Sequence, residues 1–229
     1  MSSIVLSPGA TGAAAFTIEA PSTATSRVIT LPDATDTLVG KATTDTLTNK
    51  TLVAPALGTP ASGNLANCTG AITSGTAQAS TSGTSIDFTG IPSGVKRITV
   101  MFGAVSTSGT SNMQAQIGSG SIDTVSTYAG ACSNVGGTNN CGAAQNTTGF
   151  LIVNNLVAAS TYNGALTFTT IGSNIWCLTG TLSSTSSTIY NFPSSGSKTL
   201  SGTLDRVRIT TVNGTDTFDA GSINILYES

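Results

Sequence analysis

The stretch KATTDTLTNKTLVAPALGTPASGNLANCTG, from Lys41 to Gly70, limits what this chain can fold into more than any other part of it. Its apolar residues Leu47, Leu52, Val53, Leu57 and Leu65 are spread among Thr, Asn, Gly, Pro and Ala. They are too few to close a core within one chain and too many to be left in water. Pro55 and Pro60 remove backbone donors and exclude a regular helix or a central strand. Such a segment is stabilised by copies of itself, because identical chains wound about a shared axis bury these side chains against one another. Residues 41–75 are therefore expected to form an extended, intertwined stem, at most roughly 115 Å long at ~3.3 Å per residue.

Charge narrows the rest. Charged residues make up 8% of the 229, about a third of the usual share of about 25%. The surface must then be built from Ser, Thr, Asn and Gly. Disordered chains are highly charged and poor in β-branched residues, whereas this one is rich in Thr, Ile and Val, so the expectation is all-β. The net charge is −2, and the eight basic residues are scattered apart from Lys96-Arg97 and Arg206/Arg208. That gives no electrostatic footprint for nucleic acid. No run reaches the roughly 18 apolar residues a spanning helix needs, so no membrane insertion is expected. The first residues lack a basic start, and Ser7-Pro8-Gly9 breaks their apolar stretch, so no secretory signal is expected and the chain should be made in a cytoplasm.

Three segments follow. Residues 1–40 hold two short strand-like runs, Ala15 to Ala20 and Arg27 to Gly40, punctuated by Pro21 and Pro32-Asp33. Residues 41–75 are the stem. From residue 76 to 229 strands and turns recur at regular spacing, the pattern of an antiparallel sandwich. Eight strands are expected there, within residues 85–92, 95–105, 112–120, 149–157, 164–171, 174–182, 203–212 and 221–228. Their period of two puts Ile98, Val100 and Phe102 on one face, likewise Val207 with Ile209, and Ile223 with Ile225 and Tyr227. Lys96, Arg206 and Arg208 fall on the solvent side or at edges. Asn163-Gly164 and Asn213-Gly214 read as hairpin turns. Trp176 is expected in the core.

Chemistry is sparse. Histidine is absent, which removes the commonest general base and the usual catalytic triads. Of the four cysteines, the closest pair, Cys132 and Cys141, is too widely spaced for a zinc site, so no metal and no cofactor is expected. These two bracket a Gly- and Asn-rich stretch, which leaves a loop-closing disulfide open; Cys177, within the apolar IWCL, reads as a buried thiol. Between Arg97 and Lys198 the only charged residue is Asp123, so this region holds no carboxylate pair of the kind glycoside hydrolysis uses.

TLTNKTL, Thr46 to Leu52, with the Pro- and Gly-punctuated thread after it, resembles the stem motif of many bacteriophage fibre proteins. FTGIPSGVKRITVMF (Phe88 to Phe102) and SGTLDRVRITTVNGTDTFDAGSINILYE (Ser201 to Glu228) resemble a C-terminal β-sandwich domain of tailed-bacteriophage tail and fibre proteins and of prophage regions. The resemblance implies a homotrimer on the virion surface, made in a bacterial cytoplasm. Residues 1–40 would attach it to the tail or capsid, and a distal, jelly-roll-like sandwich would meet a glycan or protein of the bacterial surface. It carries no catalytic motif, so no enzyme is expected. A head fibre or capsid decoration protein is the alternative role, and a polysaccharide depolymerase is weighed against by the carboxylate census. Residues 104–200 lie outside the resemblance and are where specificity is expected. The polar stretch from Tyr128 to Thr148 reads as a variable loop, so the candidate receptor-binding residues are Tyr128, Ser133, Asn134, Asn139 and Asn140, with Tyr162 and Tyr190 beside turn signals.

Overall fold

In the computed structural model, strands form wherever apolar residues alternate with polar ones, because a pleated strand sends successive side chains to opposite faces. The structure describes residue 51 and residues 72–229 apart from 137–139, 159 and 186–188. The expectations for residues 1–40, and for the stem residues Leu47, Leu52, Val53, Leu57 and Leu65, therefore lie outside the described residues. Among the described residues there is no helix. The strands are β1 (Ile72–Ser74), β2 (Gln78–Ala79), β3 (Ser85–Thr89), β4 (Arg97–Thr107), β5 (Met113–Ser119), β6 (Ser121–Ile122) and β7 (Ala129–Gly136). They continue as β8 (Asn140–Ala144), β9 (Phe150–Val153), β10 (Thr161–Gly172), β11 (Ile175–Thr185), β12 (Tyr190–Thr199), β13 (Arg206–Thr211) and β14 (Phe218–Glu228).

All pair antiparallel, in two sheets. The larger has the order β1-β14-β4-β10-β11-β12-β7-β8, with β2 also on β14; the smaller has β3-β13-β5-β6, with β9 also on β5. Their inner faces share one core. Ile98, Val100 and Phe102 of β4, Leu166 and Phe168 of β10, and Trp176 and Leu178 of β11 belong to it, together with Ala115 and Ile117 of β5 and Val207 and Ile209 of β13. The expected faces hold: Ile223 and Ile225 are buried and Trp176 is in the core, while Tyr227 is half-buried. Phe150 of the wholly buried β9 bridges the layers, with ring centroids 4.8 Å from Tyr128 and 6.0 Å from Phe168. Each large side chain of this kind contributes roughly 1.5–3 kcal/mol by leaving water.

All eight expected strands are present, and the structure adds six short or small-residue strands, β1, β2, β6, β7, β8 and β12. β1 lies within residues 41–75, and its three residues pair with β14 from Ile72↔Glu228 to Ser74↔Leu226. β12 contains Pro193, a residue that normally argues against a central strand. It is accommodated because the ladder from β12 to β7 skips Phe192 and Pro193, running from Asn191↔Val135 to Ser194↔Cys132.

The two turn dipeptides divide. Asn163-Gly164 is not a hairpin turn but lies inside β10, where the register against β4 shifts between Tyr162 and Gly164. The Ala104 N–H, at a backbone φ of 53°, donates to Asn163 Oδ1 at 2.8 Å, so the asparagine supplies the acceptor that the bulge removes from the ladder. Asn213-Gly214 is a turn, closed by Gly214 N–H donating to Thr211 O at 3.1 Å with φ +68° at the glycine. It joins β13 to β14 and so passes from one sheet to the other.

Candidate functional site

The segment from Tyr128 to Thr148 contains a β-hairpin at one edge of the larger sheet, paired from Cys132↔Ala144 to Gly136↔Asn140. The candidates on it separate accordingly. Tyr128 is buried: the Ile117 N–H donates to its hydroxyl at 3.0 Å, and the hydroxyl donates to Asp123 O at 2.8 Å. Asn134 is buried too, its Oδ1 accepting from the Gly142 N–H at 2.9 Å. Tyr162 is buried, with the Val157 N–H on its oxygen at 3.0 Å and Phe192 against its ring at 5.8 Å. All three are buried, which corrects the expectation that they lie at the surface; for the two tyrosines, a ring beside a turn still finds a core when a backbone group can satisfy its hydroxyl. Tyr190 is half-buried, its ring 6.2 Å from Phe192 and its N–H donating to Ser184 Oγ at 3.1 Å. Ser133 is half-buried and opens onto a shallow depression of about 380 Å³ on the outer face of the larger sheet, beside Thr181 and Pro193. Asn139 and the side chain of Asn140 lie outside the described residues.

No disulfide joins Cys132 to Cys141; both are free. Cys132 faces Ala144 and Cys141 faces Val135, three residues along the hairpin. That is about 10 Å, beyond the roughly 7 Å a disulfide spans, and an odd offset puts the two on opposite faces. Cys177 is half-buried rather than buried, since it falls on the outward phase that Trp176 leaves.

The richer site is on the other sheet. The inward side chains of β5 are Met113, Ala115 and Ile117, so Gln114 and Gln116 lie on the opposite face, as do Arg208 and Thr210 of the neighbouring β13; Gln114, Gln116 and Thr210 are buried there and Arg208 is half-buried. With Thr84, Ser85 and Thr148 they line a groove of about 300 Å³ closed at one end by the 212–214 turn. Each polar group is held in place. Gln116 Nε2 donates to Thr148 O at 2.8 Å, and Gln114 Oε1 accepts from Asn146 Nδ2 at 2.5 Å. Arg208 Nε and Nη2 donate to the two oxygens of Asp87 at 2.6 and 2.9 Å, and that bidentate carboxylate strengthens the protonated guanidinium. Thr210 Oγ1 donates to Thr84 O at 2.8 Å.

Arg208 is the only ionisable side chain lining this groove, and its charge is matched by Asp87. The arrangement therefore offers hydrogen-bond donors and acceptors without net charge. Among the described residues no group of three His, Cys, Asp or Glu side chains could hold a metal. The sequence carries a signal for this site, Gln114 and Gln116 at alternate positions of a strand that also holds Met113, Ala115 and Ile117, with no aromatic residue to mark it.

The fold and this groove define an all-β, antiparallel two-sheet domain with a neutral polar cleft. Comparison with protein-family models, curated proteins and solved structures found no match to the chain.

Proposed function

We propose that this chain is a fibre of a tailed bacteriophage: a homotrimer attached to the virion by residues 1–40, spaced by residues 41–75, and adhering to the bacterial surface through its sandwich. The observation that carries this reading is the junction at β1. Ile72–Ser74, within the 41–75 segment that contains TLTNKTL, form an edge strand of the larger sheet, with Ile72↔Glu228.

A non-enzymatic role is supported by how five of the six described side-chain carboxylates, all but the exposed Asp219, are used. Asp87 is paired with Arg208, Asp123 with Lys198, Asp205 with Arg206 and Glu228 with Arg97. Asp216 accepts from the Ser111 N–H at 2.9 Å and from Asn213 Nδ2 at 2.7 Å. Carboxylates committed to ion pairs and turns are poorly placed to trade protons with a substrate.

Light scattering on the full chain is expected to give a trimer, and gold-labelled antibody should decorate the tail of virions. A monomer at micromolar concentration would overturn the fibre reading, and label on the head would move the attachment point to the capsid.

A further inference from the structure

We propose that the groove on the outer face of the five-stranded sheet binds a neutral pyranose unit of a surface glycan. The proposal rests on the adhesive reading and gives it a site and a ligand class.

Size sets the first limit. A space of about 300 Å³ lies at the lower end of the range for small-molecule sites, roughly 300–1,000 Å³. It suits one or two sugar rings and excludes a folded protein epitope. Hydrogen bonding sets the second. Adjacent hydroxyls of a pyranose each donate and accept, so they need donors and acceptors side by side. Arg208 has five N–H donors, of which Asp87 takes two; three remain for ligand oxygens. The hydroxyls of Thr210 and Ser85 already donate, to Thr84 O at 2.8 Å and Asp87 Oδ2 at 3.2 Å, which leaves their oxygens as acceptors. Donors and acceptors therefore alternate across two neighbouring strands.

Charge decides between neutral and acidic sugars. A ligand carboxylate would have to compete with Asp87 for the one guanidinium of the groove, so it gains little from being charged. A neutral ring uses the remaining donors without disturbing the pair. The groove is also preorganised, since Gln114, Gln116, Thr210 and Arg208 each hold a protein partner already, and little side-chain freedom is lost on binding. No aromatic face lines it, so each site is weak and adhesion relies on several copies acting together.

Saturation-transfer difference NMR on the full chain tests this with methyl glycosides of glucose, galactose, mannose and rhamnose, with N-acetylglucosamine, and with glucuronate as the acidic counterpart. At least one neutral pyranoside should receive saturation and glucuronate less. Thr84→Trp and Val212→Trp, at exposed positions on the rim, should each abolish the signal with the melting temperature unchanged. Silence from every neutral sugar, a stronger response from glucuronate, or undiminished signal in a folded rim variant would overturn the proposal. Adhesion to the bacteria on which the phage grows separates the two levels. A rim variant that adheres as well as the parent chain removes the groove and leaves the adhesive reading standing. A parent chain that binds the sugar but not the cells removes the adhesive reading and leaves the groove.

Discussion

Lys198 Nζ lies 2.9 Å from Asp123 Oδ2, and these are the two charges that stand alone in the middle of the sequence. The lysine side chain is 1% exposed and the aspartate 21%. The ammonium also donates to Thr127 Oγ1 and to Val125 O at 3.4 Å, and it sits 4.6 Å from the centre of the Tyr128 ring. Four contacts from one cation thus tie the 123–128 connection to β12. Thr124, one residue from Asp123, lines the polar groove, so the same latch sets one wall of the candidate site.

Removing the anion is expected to harm more than removing the cation. Asp123→Ala strands a buried ammonium, for which the typical cost is about 3–5 kcal/mol. Lys198→Met keeps the stem's volume and leaves a partly exposed carboxylate that water can reach, so the loss should be clearly smaller. Urea unfolding of the two variants checks the order; equal losses would show that the pair is solvated.

Gly196→Ala tests a close approach between strands. Gly196 faces Gly130 across the β12–β7 ladder. A Cβ there would meet Ala129 O at 2.6 Å, Gly130 Cα at 2.9 Å and the Phe150 ring at 2.9 Å. Two of these are backbone atoms that cannot step aside, and overpacking of this kind costs about 1–3 kcal/mol. A melting temperature unchanged by the added methyl would contradict the register.

Alkaline pH is expected to unfold the domain through buried hydroxyls. Burial pushes the Tyr128 hydroxyl well above its ordinary value, with a hydrogen bond to the Ile117 backbone opposing the shift and the Asp123 charge adding to it; burial raises Tyr162 as well. The native chain then keeps protons that the unfolded chain releases above about pH 10. Their contribution is fully present below that pH and is lost as pH rises through the native values. Tyr128→Phe should flatten the alkaline limb of a stability profile. At neutral pH it should cost about 1–3 kcal/mol, because the Ile117 N–H loses its acceptor. An alkaline limb as steep as the parent's would exclude Tyr128 as its source.

The legible part of the fold was the part in which apolar residues alternate. Ile98 between Arg97 and Thr99, or Val207 between Arg206 and Arg208, states its own face, and the structure buries each as expected. β7 and β8 state nothing of the kind, because AGACSNVG and NCGAA have mostly small side chains whose two faces differ little in hydrophobicity. Their strand character comes from the partner they complete, a non-local cause that no window of sequence contains. The same holds for the groove. Gln114 and Arg208 are 94 residues apart in sequence, as the numbering gives directly, and become neighbours only through the β5–β13 register, Gln116↔Arg208. Tyr128 and Tyr162 misled for the opposite reason: their turn-side positions were local and visible, whereas the backbone groups that take their hydroxyls into the core were not.

Thiol reactivity should report the orientation of the hairpin residue by residue. Cys132 is buried, and burial pushes its thiol above its ordinary value despite opposing hydrogen bonds from Ser194 and Asn154. Cys141 is exposed on the facing strand. Iodoacetamide at mildly alkaline pH attacks thiolates it can reach, so Cys141 should be alkylated in the folded chain and Cys132 only after denaturation. No Lys, Arg or aromatic residue lies between Cys132 and Cys141, so trypsin and chymotrypsin both leave the two cysteines on one peptide, and tandem fragmentation of the chymotryptic peptide Ala129 to Phe150 assigns each label to its residue. Denatured without reductant, that peptide should take up two alkyl groups, as two free thiols require. Equal labelling of the two cysteines in the native chain would mean that β7 presents its other face to solvent, and would overturn the register Cys132↔Ala144 on which the edge of the larger sheet depends.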